Sequence, residues 1–184
     1  MTNRGQWGVI TAVIAMLGAG LFLASTKLGA ELFPLKIGSE APDFSAKPMA
    51  PGTPMKGIDN YTGDVVLLNI WATWCGPCRI EMPSMQLLEE TLGPKGLKIV
   101  AVSVDVAGME QGINDFADEL KLSFEILHDP TQQIEQIYQT TGVPETFIIG
   151  RDGRVRRRVI GQDNWSSPAN IAFLERLLAE PKPE

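Results

Sequence analysis

The hydrophobic pattern begins with a run that is apolar on every side. After Arg4, positions 7–25 read WGVITAVIAMLGAGLFLAS and carry no charge. At about 1.5 Å per residue a helix over this run spans about 28 Å, close to the roughly 30 Å hydrocarbon core of a bilayer. The pattern predicts a transmembrane anchor over 7–25, after a short tail at 1–6 and before a tether at 26–36. A cleaved signal peptide is the alternative. Its apolar stretch is usually shorter and ends in a small-x-small site, which AST at 24–26 and LGA at 28–30 match poorly. A buried core helix at the N-terminus fits less well, because this run is apolar on every face.

Beyond 36 the pattern changes period. IGSEAPDF at 37–44 opens the globular part. AKPMAPGTPMKG at 46–57 is rich in proline and reads as loops and short edge strands. DVVLLNIWA at 64–72 is nearly continuous in apolar residues, as expected of a central strand buried on both faces. A helix is predicted from Cys75 to about Leu92. Pro77 suits its first turn, and Ile80, Met85, Leu87, Leu88 and Leu92 carry the helical spacing. Pro83 lies inside it and removes one backbone hydrogen bond. A second strand follows at 97–105, an amphipathic helix at 109–120 and a short strand at 123–127. Asp129-Pro130 reads as a cap and first helical residue, opening a helix over 131–139. Segments 145–150 and 154–161 flank RDGR, whose Asp152-Gly153 is a hairpin signal. The last helix is predicted over 167–179, with Pro168 in its first turn. This alternation predicts an α/β sheet with helices on both faces and an antiparallel hairpin at its end.

Composition narrows the class. Hydrophobic residues make up 44% of 184 positions, enough for one core, so one domain over 37–180 with a tail at 181–184 is expected. A net charge of −6 argues against a nucleic-acid binder. The run of Arg154, Arg156, Arg157 and Arg158 reads as a solvated strand, with contact to anionic lipid or an acidic partner as the alternative. Positive charges on either side of the apolar run (Arg4 before it, Lys27 and Lys36 after it) barely choose an orientation. The simplest topology leaves the short tail inside and exports the rest, into an oxidising space where disulfide chemistry is permitted.

That matters because the two cysteines, Cys75 and Cys78, are only three positions apart. A bond across so small a loop contributes little to stability, so a static structural disulfide is unattractive. Structural zinc wants four nitrogen or sulfur ligands, and the chain adds only His128, which reads as a surface loop residue. Haem attachment needs a histidine after the second cysteine, and position 79 is Arg79. A redox dithiol at the end of a strand and the start of a helix fits best. The helix N-terminus favours a thiolate at Cys75, the attacking group, and leaves Cys78 one turn inside as the resolving thiol. Glu81, three residues on, lies on the same face. A partly buried carboxylate there has a raised pKa and can take the Cys78 proton, although an ordinary solvated glutamate is the plainer reading. Trp165 reads as a partly buried aromatic near the last helix.

APDF at 41–44, VVLLNIWATWCGPCRIEMP at 65–83 and GVPETFIIGRDGRV at 142–155 together resemble the thioredoxin superfamily. The nearest likeness is to its membrane-anchored TlpA/ResA/CcmG-like thiol–disulfide oxidoreductases. The resemblance covers about 37–179. It implies a thioredoxin fold, with a central mixed sheet flanked by helices, a helix-strand insertion after Asp105 and an N-terminal transmembrane helix. It implies that Pro144 is the cis-proline facing the dithiol and holds Val143 where an extended partner can pair. It further implies a partner-contacting set of Trp74, Gly76, Pro77, Val143, Pro144 and Glu145, with Cys75, Cys78 and Glu81 catalytic. Asn69 stands where cytoplasmic thioredoxins carry a buried aspartate, which leaves the acid role to Glu81.

The same resemblance implies an extracytoplasmic, periplasmic-side reductase tethered by its N-terminal helix. Its expected partners are protein thiols and disulfides, above all apocytochrome c, whose cysteines must be reduced before haem attaches. A membrane donor relaying reductant from cytoplasmic thioredoxin would supply electrons. No cofactor or metal is expected. General reduction or isomerisation of exported proteins is the alternative client class, since Gly76-Pro77 is also the dipeptide of general thioredoxins. A peroxidase-related redoxin would need a lone peroxidatic cysteine, and a non-enzymatic binding module would not need the dithiol.

Overall fold

The strand at the centre explains the rest of the architecture. In the computed structural model, which describes residues 16–18 (helical) and 35–182, every residue of the strand Val65–Trp71 is buried. The continuous apolar run therefore has a partner on each face, as its composition requires. The chain divides into Met1–Pro34 and Leu35–Glu184, and the second unit carries the sheet. All of the expected anchor but residues 16–18, its leading tail and most of the tether lie outside the described residues, as do positions 183–184. Among the described residues no helix is long and apolar enough to cross a membrane.

Six strands form one mixed sheet in the order β1-β4-β3-β2-β5-β6. They are β1 Lys47–Pro48, β2 Val65–Trp71, β3 Leu97–Ser103, β4 Glu125–His128, β5 Glu145–Ile149 and β6 Val155–Ile160. β2 pairs parallel with β3 and antiparallel with β5, and β3 pairs parallel with β4. Helices α1 Gly76–Leu92, α2 Glu110–Glu119, α3 Gln133–Ile137 and α4 Pro168–Leu178 complete the fold. Alternation along the strands assigns the faces. Asn69 and Trp71 share one face, where Asn69 meets Glu81 of α1 and Trp71 packs on Phe116 of α2 at 4.7 Å between ring centroids. On the opposite face Phe147 packs on Tyr138 at the end of α3, and Tyr138 on Phe44. This is the thioredoxin-like arrangement, with α2 and β4 forming the helix-strand addition after Asp105.

Turn chemistry places the hairpin. Gly153 has φ +73°, a left-handed conformation that favours glycine, and its N–H donates to the Gly150 carbonyl at 2.9 Å. Buried Arg151 ties this turn to the rest of the sheet end, donating to the Gly63 carbonyl at 2.9 Å and to the Leu178 carbonyl at the close of α4 at 3.0 Å.

Several expectations need correction. His128 is not a surface loop residue: it is 1% exposed, because β4 runs one residue further than predicted and His128 Nε2 lies 2.8 Å from the Asp105 carbonyl oxygen. Helix α3 begins later than Asp129-Pro130 suggests, since Gln132 adopts φ +59° first. Asp129 still caps it through its side chain, accepting from Ile134 N–H at 2.9 Å. The arginine strand is not simply solvated. Arg158 pairs with Glu145, Arg157 lies 3.8 Å over the Phe173 ring and reaches Asn170, Arg156 pairs with Asp152, and Arg154 reaches Glu40 and the Gly38 carbonyl. Trp165 is wholly buried.

Candidate active site

β2, central in the sheet, ends at Trp71, and a short turn carries the chain into α1. Cys75 is the N-cap of that helix, with extended backbone (φ −84°, ψ 105°), and Pro77 falls in the first turn. The Cys78 N–H donates to Cys75 Sγ at 3.1 Å, so the sulfur occupies the place where a capping oxygen usually accepts. A negative charge on that sulfur is stabilised by the same N–H and by the helix dipole. The two cysteines are joined as a disulfide with their Cα atoms 5.3 Å apart. Cys78 is fully buried, whereas Cys75 keeps 4% exposure, so a partner sulfur has its approach at Cys75. Trp74 is 71% exposed beside it, with Gly76, Pro77 and Ile80 also open to solvent.

One turn further, Glu81 is 1% exposed on the same helix face as Cys78. Its carboxylate accepts from Asn69 Nδ2 at 2.8 Å, from the Asp163 N–H at 3.1 Å and from Trp165 Nε1 at 3.2 Å. Burial pushes the Glu81 carboxyl above its ordinary value of 4.5, even though these three donors favour the charged form. Asn69 gives its other amide hydrogen to Thr146 Oγ1 at 2.8 Å, which leaves Asn69 Oδ1 buried without a donor. The arrangement can hold a proton within the reach of one helical turn from a buried thiol.

The Val143–Pro144 peptide is cis. The β2–β5 register pairs Ile70 with Glu145, so Pro144 and Val143 continue past that pair at the end of β2 from which the dithiol turn leaves. Pro144 is buried, Val143 is partly open, and the Pro144 carbonyl accepts from Gly161 N–H at 2.9 Å. The fold thus brings Cys75, Cys78, Trp74, Gly76, Pro77, Val143 and Pro144 to the end of β2 from which α1 starts, with Glu81 one turn into that helix. It does not bring Glu145 there. Strand alternation turns Glu145 to the face opposite Asn69 and Thr146, where it is fully buried, paired with Arg158 and accepting from Thr141 N–H at 3.0 Å.

Thr146 and the Asp163 amide are the residues that sequence reasoning passed over, and Trp165 was read only as a partly buried aromatic, without its bond to Glu81. Each comes from a segment remote from Cys75. For Trp165 a signal existed, since a buried indole N–H needs an acceptor. Among the described residues no group of three His, Cys, Asp or Glu is placed to hold a metal ion.

Comparison with known proteins agrees with this geometry. Residues 37–158 match the AhpC/TSA family. The thiol-disulfide oxidoreductase ResA of Oceanobacillus iheyensis is 37% identical over 128 residues, 68% of this chain and 66% of that protein. The thiol-disulfide oxidoreductase ResA of Geobacillus kaustophilus is 33% identical over 156 residues, 82% of this chain and 85% of that protein. Among solved structures, the Chlorobium tepidum protein given the name thiol:disulfide interchange protein DsbE is 32% identical. It superposes with a TM-score of 0.66 over 78% of this chain and 96% of that one. By that family match and those relatives, the chain belongs to the AhpC/TSA family, on the side of it whose members are thiol–disulfide oxidoreductases.

Proposed function

We propose that this protein is a reductase of protein disulfides outside the cytoplasm, held at a membrane by its 7–25 segment, and that it acts in the maturation of c-type cytochromes. The observation that carries the reductase reading is the buried Glu81 carboxyl, raised by burial and set one turn beyond the buried Cys78. In the first step the Cys75 thiolate attacks one sulfur of a partner disulfide. A Cys75–partner disulfide forms, the partner's own bond breaks, and the other partner sulfur leaves as a thiolate. In the second, Cys78 gives its proton to the Glu81 carboxylate and attacks Cys75 Sγ. The Cys75–Cys78 disulfide forms and the partner leaves with its second thiol reduced, so two electrons have passed to it. A base whose pKa lies near the working pH suits this step, because it must both accept the proton and release it later.

Trp74, Gly76, Pro77, Val143 and Pro144 form the partner-contacting rim in this proposal. Glu145 serves it indirectly, by fixing the start of β5 through Arg158. The partner is a protein with a reducible cysteine pair, in first place apocytochrome c. Electrons return to the oxidised dithiol from a membrane donor that relays reductant from cytoplasmic thioredoxin. The Gly76-Pro77 dipeptide favours, as a second reading, general reduction or isomerisation of exported proteins.

A mixed-disulfide trap separates these. With Cys78→Ala in the full-length chain expressed in its host, the expected species bound to Cys75 are apocytochrome c and its maturation factors. A broad set of exported proteins without any cytochrome would remove the cytochrome role and leave the general reductase.

A further inference from the structure

The turn that delivers Cys75 has little of its own to hold it. Trp74 projects into solvent, and the turn's internal bond is the Cys75 N–H to the Ala72 carbonyl at 3.2 Å. Between them, Thr73 is gripped by Asp105, two residues beyond the end of β3. Its N–H donates to Asp105 Oδ2 at 2.8 Å and its Oγ1 hydroxyl to Asp105 Oδ1 at 2.7 Å. Asp105 is 1% exposed and is fixed at its own root. Ser103 Oγ donates to Asp105 Oδ2 at 2.8 Å and accepts from the Asp105 N–H at 3.1 Å, while buried His128 holds the Asp105 carbonyl at 2.8 Å. The carboxylate is thus built on the ends of β3 and β4, independently of α1.

We propose that Asp105 is a positioning residue for the redox dithiol: its carboxylate clamps Thr73 to the ends of β3 and β4 and so sets the turn from which Cys75 enters α1. The inference rests on the dithiol reading above and deepens it. Two bonds to one residue fix both the height and the rotation of a turn. Two residues later, that fixes where Cys75 Sγ stands relative to the Cys78 N–H and the Cys78 sulfur. Loosening the clamp widens the range of separations of the two thiols, which lowers the effective concentration of one at the other and disfavours closing the disulfide. It also weakens the hold of the helix N-terminus on the Cys75 thiolate, which by itself destabilises the dithiol and offsets part of that loss. Asp105 touches neither sulfur in this scheme; it acts through Thr73.

The test uses the full chain and two conservative variants, Thr73→Val and Thr73→Ser, equilibrated with reduced and oxidised glutathione, with Cys75 thiolate formation followed by ultraviolet absorbance. Thr73→Val keeps the shape and the backbone N–H bond but deletes the hydroxyl donor. The expected result is a fall of about threefold to tenfold in the equilibrium constant for closing the Cys75–Cys78 disulfide, tenfold being about 30 mV for a two-electron couple. The thiolate titration should move to higher pH, and Thr73→Ser should restore both. Unchanged constants in Thr73→Val would overturn the proposal, as would Thr73→Ser behaving like Thr73→Val. The wild-type chain keeps the two ideas separate. If it does not exchange with glutathione at all, the dithiol reading itself fails, whereas a normal wild type beside an unaltered Thr73→Val removes only the clamp.

Discussion

Glu81 shows how a single residue can be half legible. Its spacing from Cys78 puts both on one helical face, and that much is local. What raises its pKa is burial, and what opposes that rise is donation from Asn69 and Trp165, both from segments far away in sequence. His128 was misread for the same reason, since an Asp-Pro after it looks like a loop, while in the fold it closes β4 beside β3 and meets the Asp105 carbonyl just beyond that strand. The raised pKa has a consequence for stability. Below the ordinary value of 4.5 the carboxyl is protonated in both folded and unfolded states; above it the unfolded chain ionises while the fold keeps the proton, so stability falls as pH rises from there through the folded value. Wild-type stability relative to Glu81→Gln should therefore fall with rising pH from about 4.5 upward, read from urea midpoints across pH; a rise instead would show that the carboxylate is favoured by the fold. Trp165→Phe deletes one donor to the charged form and should raise the Glu81 pKa further. A lost bond to a charged group of about 1.5–3 kcal/mol corresponds to about 1–2 pH units. In stopped-flow measurements of mixed-disulfide resolution, the acid limb of the pH–rate profile should shift upward by that order, and an unmoved limb counts against Glu81 as the base.

At the scale of elements, periodicity and turn residues carried most of the information. β2, β3, α1 and α4 begin and end within a residue or two of the expected places, because a continuous apolar run, Pro77, Pro168 and Ser167 are strong local signals. α3 was the exception, since Gln132 takes a left-handed conformation that no local residue announces. The arginines of β6 were also opaque, as their partners lie on β5, α4 and the 150–153 turn. Arg158 is the consequential one, because it covers a Glu145 side chain with no exposure. Removing one partner of a buried pair leaves an uncompensated charge, so Arg158→Met should destabilise the domain by about 3–5 kcal/mol in urea unfolding. A loss below about 1 kcal/mol, the range of exposed pairs, would mean that Glu145 is not held as described.

For the whole molecule, strand–helix alternation gave the sheet class. The strand order and the convergence of the 72–75 turn with Val143–Pro144 follow from pairing that a single sequence does not display. On the proposed function the molecule is a reductant, whose Cys75–Cys78 disulfide is the more stable form and whose dithiol passes electrons outward. The reduction potential of the full chain, measured by equilibration with glutathione at pH 7, tests this most directly. The expected value is below about −230 mV, toward the thioredoxin end of the scale; a value near −120 mV would make the protein an oxidant and contradict the proposed direction of electron flow.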